Sequence, residues 1–167
     1  ETGTICPIDL EKKITEKTKA IIVVHQFGTP ADMDKILKIA KNRNLKVIED
    51  CAQAHLTEYK GKKVGSLGDI GVFSLNVNKS IQVGEGAVCI TNNKSYFNKM
   101  ALIRNHGENA SEGLEVDQAI NTIGQNLRMT ELHAALSLTQ LKKVHSLTNK
   151  RLALVDYFIE NIKSIKG

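Results

Sequence analysis

The chain has 167 residues, 41% of them hydrophobic, which suits a single globular unit with a sizeable core and excludes disordered and fibrous classes. Lys and Arg number 23 against 18 Asp and Glu, a net charge of +5 spread along the chain, and aromatics make up only 4%, so the basic, aromatic-interleaved pattern of a nucleic-acid surface is missing. Cys6, Cys51 and Cys89 are widely spaced with no C-x-x-C pair, which argues against a disulfide framework and a zinc site. With no apolar run near the ~18 residues of a membrane span, the composition reads as cytoplasmic.

Residues 1–6 read as a ragged start. Residues 7–17 place Ile8, Leu10 and Ile14 on one side and charges on the other, predicting a short amphipathic helix. Residues 19–25, KAIIVVH, are β-branched at the centre and too short for a helix, hence a buried strand ending at His25, which either faces a ligand cleft or serves the core. Thr29 fits an N-cap with Pro30 at the first helical position, and Met33, Ile36, Leu37, Ile39 and Ala40 build an apolar helical face up to Asn42. Asn44 breaks that helix and residues 45–50, LKVIED, form the next strand. Strand, helix, strand at this spacing is a βαβ unit with parallel strands and a right-handed crossover.

That second strand stops at two adjacent acids, Glu49 and Asp50. A parallel strand delivers a carboxylate in this way to the C-terminal edge of its sheet, where open α/β sheets bind ligands. The glycines at 61, 65 and 68 predict a hairpin or loop excursion over residues 56–68. A further apolar strand, 70–75, reaches Ser74 and then a polar segment carrying Lys79 among Asn76, Asn78, Ser80 and Gln82, before Gly84-Glu85-Gly86 turns the chain into a strand at 87–91. An acid and an amine thus each sit just beyond a strand end. Residues 95–105 predict a helix, 108–123 a loop, and Thr130 opens an amphipathic helix that continues over 144–165 after a break near Asn149. No repeat, low-complexity tract or linker divides the chain, so residues 1–167 read as one α/β domain.

Five segments in one order, IEDCAQAH, VGSLGDIGVFS, Lys79 followed by GEGAV, LIRNHG and GQNLRMTELHAA, resemble the pyridoxal-phosphate-dependent sugar aminotransferases of the DegT/DnrJ/EryC1/StrS family over nearly the whole chain. The resemblance implies a three-layer α/β sandwich with a mostly parallel sheet, the aspartate-aminotransferase-like large domain of fold type I. This chain would supply its middle part. The family's N-terminal third, with a phosphate-binding turn and a ring-stacking residue, and its smaller C-terminal domain would lie outside it.

The resemblance also implies roles. Lys79 is the Schiff-base lysine, Asp50 the acid that keeps the pyridine nitrogen protonated, Ser74 a donor to the phosphate, and Gln53 a neighbour of the ring. Asn126, in a segment similar to the family's GYNYRM motif, would reach the phosphate of a neighbouring subunit, implying a homodimer with shared sites. Arg128 reads as a structural or interface residue. The chemistry needs this set: a lysine to bind the cofactor covalently and shuttle a proton, an acid for the ring nitrogen, and donors for the phosphate. Each residue also has an ordinary use. A loop lysine is usually a solvated charge, a strand-end Asp a helix cap, Ser74 a strand-end hydroxyl, Gln53 a surface amide, Asn126 a helix-start amide and Cys51 a packing residue. Their joint occurrence at motif spacing singles them out.

The implied activity is transfer of an amino group from an amino acid, glutamate, to a nucleotide-linked keto-sugar, with neither nucleic acid nor membrane as partner. The alternatives are a deoxy-sugar dehydratase of the same fold, in which histidine replaces the lysine, and a non-catalytic regulatory or assembly relative. This stretch on its own is expected to be inactive or nearly so. Three positions depart from the family pattern: Leu56 stands for a glycine, Leu75 for a phenylalanine and Ala87 for a second glycine. The first predicts an altered local turn, because leucine does not readily take the positive φ that glycine allows.

Overall fold

The computed structural model describes residues 2–108 and 122–165. Its elements in chain order are α1 (Pro7–Lys13), β1 (Ala20–Val24), α2 (Met33–Asn42), β2 (Lys46–Asp50), β3 (Glu58–Tyr59), β4 (Lys62–Lys63), β5 (Ile70–Ser74), β6 (Ala87–Ile90), α3 (Lys94–Arg104) and α4 (Glu131–Ile162). A four-stranded sheet runs in the order β1-β2-β5-β6. β1 and β2 are parallel, with Val24 opposite Asp50, and β2 and β5 are parallel, with Asp50 opposite Val72. β6 returns antiparallel, placing Ala87 opposite Ser74. The fold is therefore α/β with a mostly parallel sheet; β1 and β2 end level at Val24 and Asp50, and β5 runs two residues farther to Ser74.

The pleat sends alternate side chains to opposite faces. On one face Ile21, Val23 and Val47 pack with Met33, Ile36 and Ala40 of α2 into the main core cluster. The other face is bare at β1, where Ile22 is 63% and Val24 37% exposed. The second helical layer of the expected sandwich is thus not seen over β1 among the described residues. Gly71 has no freedom to carry a side chain, since a Cβ there would stand 2.2 Å from the carbonyl oxygen of Gly65.

Four local expectations are corrected. α1 ends at Lys13 rather than Lys17, because Ile14 turns to extended backbone and Thr15 and Thr18 close a turn of their own, Thr18 N–H donating to the Thr15 carbonyl at 3.0 Å. α2 begins at Met33, capped by Asp32 and not Thr29: the Asp32 carboxylate accepts from Lys35 N–H and pairs with Lys35 Nζ at 2.8 Å. Before it, Thr29 is extended and Ala31 N–H donates to His25 Nδ1 at 3.2 Å rather than joining the helix. α4 runs unbroken through Asn149, since no Gly or Pro occurs between residues 125 and 166 to interrupt it. Leu56 does adopt a left-handed backbone, φ +66°. The turn that glycine would make cheaply is kept, at a cost of about 1–2 kcal/mol, while the Leu56 side chain packs against the cluster of Leu75, Ile81, Val83 and Val144. Of the expected loop at 108–123, residues 109–121 lie outside the described residues.

Candidate active site

β2 ends in two carboxylates that the pleat separates. Glu49 points to the covered face and is fully buried. Its Oε2 accepts from His25 Nε2 at 3.0 Å and from Gly65 N–H at 2.7 Å, and its Oε1 accepts from Leu67 N–H at 2.7 Å and Gly68 N–H at 2.6 Å. Burial would push this carboxyl up, but the His25 bond and the three backbone donors outweigh it and hold the pKa below its ordinary value. His25 Nδ1 accepts from Ala31, so the imidazole proton sits on Nε2 and faces Glu49; the ring is a neutral core group and not a cleft residue. Cys51 joins them within 4.8 Å, a set of ligand types that could suggest a metal. Four donors already point their positive ends at Glu49, and burial followed by the charges of Glu49 and Asp50 pushes the Cys51 thiol up to about 12. A protonated thiol and a saturated carboxylate make a structural joint rather than a cation site or a nucleophile.

Asp50 faces the other way, onto the bare side, and is half-buried. Its Oδ1 accepts from Ala52 N–H at 3.0 Å, and Oδ2 has no partner among the described residues. Ser74 lies on the same face one strand over, because Asp50 is in register with Val72. Its Oγ accepts from Asn76 N–H at 3.3 Å, leaving its own O–H free to donate. Gln53 follows the strand end, exposed, with its Oε1 accepting from Phe27 N–H at 3.2 Å. Phe27 takes a left-handed φ of +50° to make that approach.

Lys79 sits in the connection from β5 to β6. Asn76 organises this loop: its Oδ1 accepts from Asn78 N–H at 3.0 Å, its Nδ2 donates to Glu85 at 2.7 Å, and its carbonyl accepts from Lys79 N–H at 2.9 Å. Val77 N–H bonds the Gly84 carbonyl at 2.8 Å, closing the base. α4 braces the loop from outside, with Val144 packed on Leu75, Ile81 and Val83 and Arg151 donating to Ser80 Oγ at 3.3 Å. Lys79 itself is half-buried, and its Nζ makes no hydrogen bond or ion pair among the described residues.

The structure thus gathers Asp50, Gln53, Ser74 and Lys79 at the C-terminal edge of the parallel strands. Asn126 is not brought to them. It is exposed, bridged to Asn105 through the backbone, and its Oδ1 accepts from Arg128 N–H at 3.5 Å. Arg128 donates to Asn105 Oδ1 at 2.6 Å, the structural use expected of it. A cavity of about 760 Å³ lies elsewhere, between the N-terminal segment and the start of α2, lined by Thr4, Cys6, Asp32, Lys35 and Tyr59 and by none of the candidate residues.

Residues 1–167 match the DegT/DnrJ/EryC1/StrS aminotransferase family from end to end. The chain belongs to that family. It is 41% identical to the GDP-perosamine synthase of Escherichia coli O157:H7 over 99% of its own length and 44% of that protein, and 40% identical to the dTDP-3-amino-3,6-dideoxy-alpha-D-galactopyranose transaminase of Aneurinibacillus thermoaerophilus over 98% and 44%. Among solved structures, Helicobacter pylori PseC, an aminotransferase of pseudaminic acid biosynthesis, superposes with a TM-score of 0.88 at 34% identity, over 98% of this chain and 43% of that one. The GDP-4-keto-6-deoxy-D-mannose-3-dehydratase of E. coli, solved with hydrated pyridoxal phosphate, gives 0.83 at 27% identity, over 98% and 46%. The chain spans less than half the length of these relatives.

Pyridoxal phosphate is implied by membership of this family, and the chemistry of the residues present fits it. The free Oδ2 of Asp50 can accept the proton of a pyridine nitrogen, the Ser74 hydroxyl can donate to a phosphate, and the unengaged Lys79 amine can bind an aldehyde carbon. Sequence reasoning did not single out Glu49 or His55. For Glu49 the signal was there, in an acid one residue before Asp50 followed by the VGSLGD glycines whose N–H groups meet it. His55 had none beyond its place in IEDCAQAH. Its Nε2 is buried without a hydrogen-bond partner among the described residues.

Proposed function

We propose that residues 1–167 form part of the pyridoxal-phosphate-binding large domain of a cytoplasmic, homodimeric aminotransferase. It transfers an amino group from an amino acid, glutamate, to a nucleotide-linked keto-sugar. The observation that carries this reading is the set of unspent groups at one strand edge: Asp50 Oδ2, the Ser74 hydroxyl and Lys79 Nζ. When bound, pyridoxal phosphate supplies an electron-accepting ring that carries the amino group between donor and acceptor. Asp50 would hold the proton on the ring nitrogen, Ser74 would donate to the phosphate, and Gln53, its Oε1 already engaged by Phe27, would offer its amide N–H groups beside the ring. Lys79 Nζ is the covalent attachment point and the base that takes up and returns a proton. Asn126, exposed and bonded to none of these residues, suits contact with a second subunit's phosphate. The relatives that support the substrate class are the perosamine synthase and the dTDP-3-amino-3,6-dideoxy-alpha-D-galactopyranose transaminase.

The dehydratase neighbour keeps a second reading in view. Lys79 favours amino transfer, because the dehydratase chemistry is associated with histidine at that place, and product analysis for amine against deoxygenated sugar separates the two. For the site itself, the full-length protein is expected to show an absorbance band that borohydride removes, and Lys79→Ala to lack it. A band that persists in the variant rules out this lysine.

A further inference from the structure

The Gly84-Glu85-Gly86 turn hands the chain from the Lys79 loop to β6 and holds none of the groups assigned to the chemistry. Its glycines have a packing reason. Gly84 takes a φ of +97°, where a Cβ would stand 3.4 Å from His133 Nε2, and a Cβ on Gly86 would stand 3.0 Å from Met129 Cε, so the turn lies against the entry to α4. Between them Glu85 is exposed, and an acid there would ordinarily be left to water. Instead its Oε1 accepts from Asn76 Nδ2 at 2.7 Å, the length of a charge-assisted bond.

Asn76 uses its other polar groups on the two site residues and their neighbour. Its Oδ1 accepts from Asn78 N–H at 3.0 Å, its carbonyl accepts from Lys79 N–H at 2.9 Å, and its own N–H donates to Ser74 Oγ at 3.3 Å. The base of the loop is closed by backbone, Leu75 N–H to the Gly86 carbonyl and Val77 N–H to the Gly84 carbonyl, both at 2.8 Å. What the Asn76–Glu85 bond fixes is which way the Asn76 carboxamide lies. A carboxylate only accepts, so Nδ2 goes to Glu85 and Oδ1 is left for Asn78, next to Lys79.

We propose that Glu85 and Asn76 are positioning residues for Lys79: the bond between them holds the backbone of residues 76–79 in the arrangement that presents the Lys79 amine and the Ser74 hydroxyl to one ligand. This rests on the assignment of Lys79 as the attachment point and Ser74 as a phosphate donor. Neither positioning residue exchanges a proton with the reacting nitrogen. An amine carried on a fixed backbone meets its target faster with its chemistry unchanged.

The test uses the cofactor-free full-length protein, with pyridoxal phosphate and borohydride as the probe. It reads the rate of capture at the peptide containing Lys79 by mass spectrometry, and the melting temperature beside it. Glu85→Ala removes the acceptor, and Asn76→Asp sets two carboxylates against each other while keeping Oδ1 for Asn78. Glu85→Gln keeps an acceptor without the charge. The double variant Asn76→Asp with Glu85→Gln exchanges donor and acceptor, restoring the bond at unchanged net charge. Capture is expected to slow about tenfold in Glu85→Ala and Asn76→Asp, the size of one lost charge-assisted hydrogen bond, and to stay within about threefold of wild type in Glu85→Gln and the double variant. Melting temperatures should stay within about 3 °C of one another. Equal capture rates in all the proteins, a double variant as slow as Asn76→Asp, or a melting temperature that falls while capture holds would overturn the proposal. Should Asn76→Asp fail to fold, Glu85→Ala against Glu85→Gln decides alone, and equal rates in those two overturn it. Capture of wild type at some other lysine would sink the site assignment, and this inference with it; capture at Lys79 that is indifferent to residues 76 and 85 sinks the inference alone.

Discussion

Glu49 and Asp50 are neighbours on β2, yet the pleat gives them opposite surroundings. Glu49 is fully buried and bonded to His25 and three backbone N–H groups, so every lone pair direction is used by the fold. Asp50 bonds one backbone N–H, and its Oδ2 has no partner among the described residues. The same functional group is thus a structural anchor in one direction and an available reagent in the other. Saturation by neighbours, more than residue type, separates holding a fold together from meeting a ligand.

The sharpest way to break this comparison is to alter each acid in turn. Glu49→Ala leaves His25 and three N–H groups without their acceptor and is expected to cost about 3–5 kcal/mol in denaturant unfolding. Asp50→Asn keeps Oδ1 for Ala52 and is expected to stay within about 0.5 kcal/mol of wild type, while amino transfer falls about 10²–10³-fold with the loss of the charge facing the ring nitrogen. Similar stability losses in the two variants would mean that Asp50 is also an anchor.

Acid titration sharpens it further. The folded state holds the Glu49 carboxyl below its ordinary value, so protons bind more readily to the unfolded chain. Its contribution is then complete above the unfolded pKa of roughly 4.3 and is lost as pH falls through the lower folded value. Wild type should lose stability on acidification through this window, and Glu49→Gln should show a flatter acid limb; parallel limbs in urea unfolding series would remove the anchor role. The smallest effect is expected at Leu56→Gly. Relief of the left-handed backbone, about 1–2 kcal/mol, opposes the loss of a half-buried side chain and the added freedom of glycine in the unfolded chain. The net change should stay within about 1 kcal/mol, and a loss well beyond that would show that packing on Leu75 and Val144 dominates the turn.

The parallel β1–α2–β2 unit was legible because its apolar runs and helical face depend on local periodicity alone. The true start of α2 was not, because the choice between Thr29 and Asp32 turns on His25 capturing the Ala31 N–H, a contact between residues six apart whose geometry the chain reveals only when folded. Leu56 was misjudged for a related reason: local preference was set against a tertiary pocket, and the pocket won. The places of Asp50, Ser74 and Lys79 at or just beyond strand ends could be read from the apolar runs before them. Glu49 could not, since which of two adjacent acids points inward depends on the face that α2 covers. His55 was invisible because an unpaired nitrogen is a property of its surroundings.

The brace on the lysine loop makes α4 a lever. Val144 is its buried point, resting on Leu75, Ile81 and Val83, and Arg151, whose guanidinium holds Ser80, lies about 10 Å farther along the helix at 1.5 Å per residue. Pivoting on Val144 by about 6° would carry Arg151 roughly 1 Å, and a displacement of that size at a reacting group is worth about 10²-fold in rate. On the proposed role of Lys79, the tilt of this helix would bear on the aim of the residue beside Ser80, so an adjustment made along α4 would be read out as a change in turnover with the strand edge itself untouched.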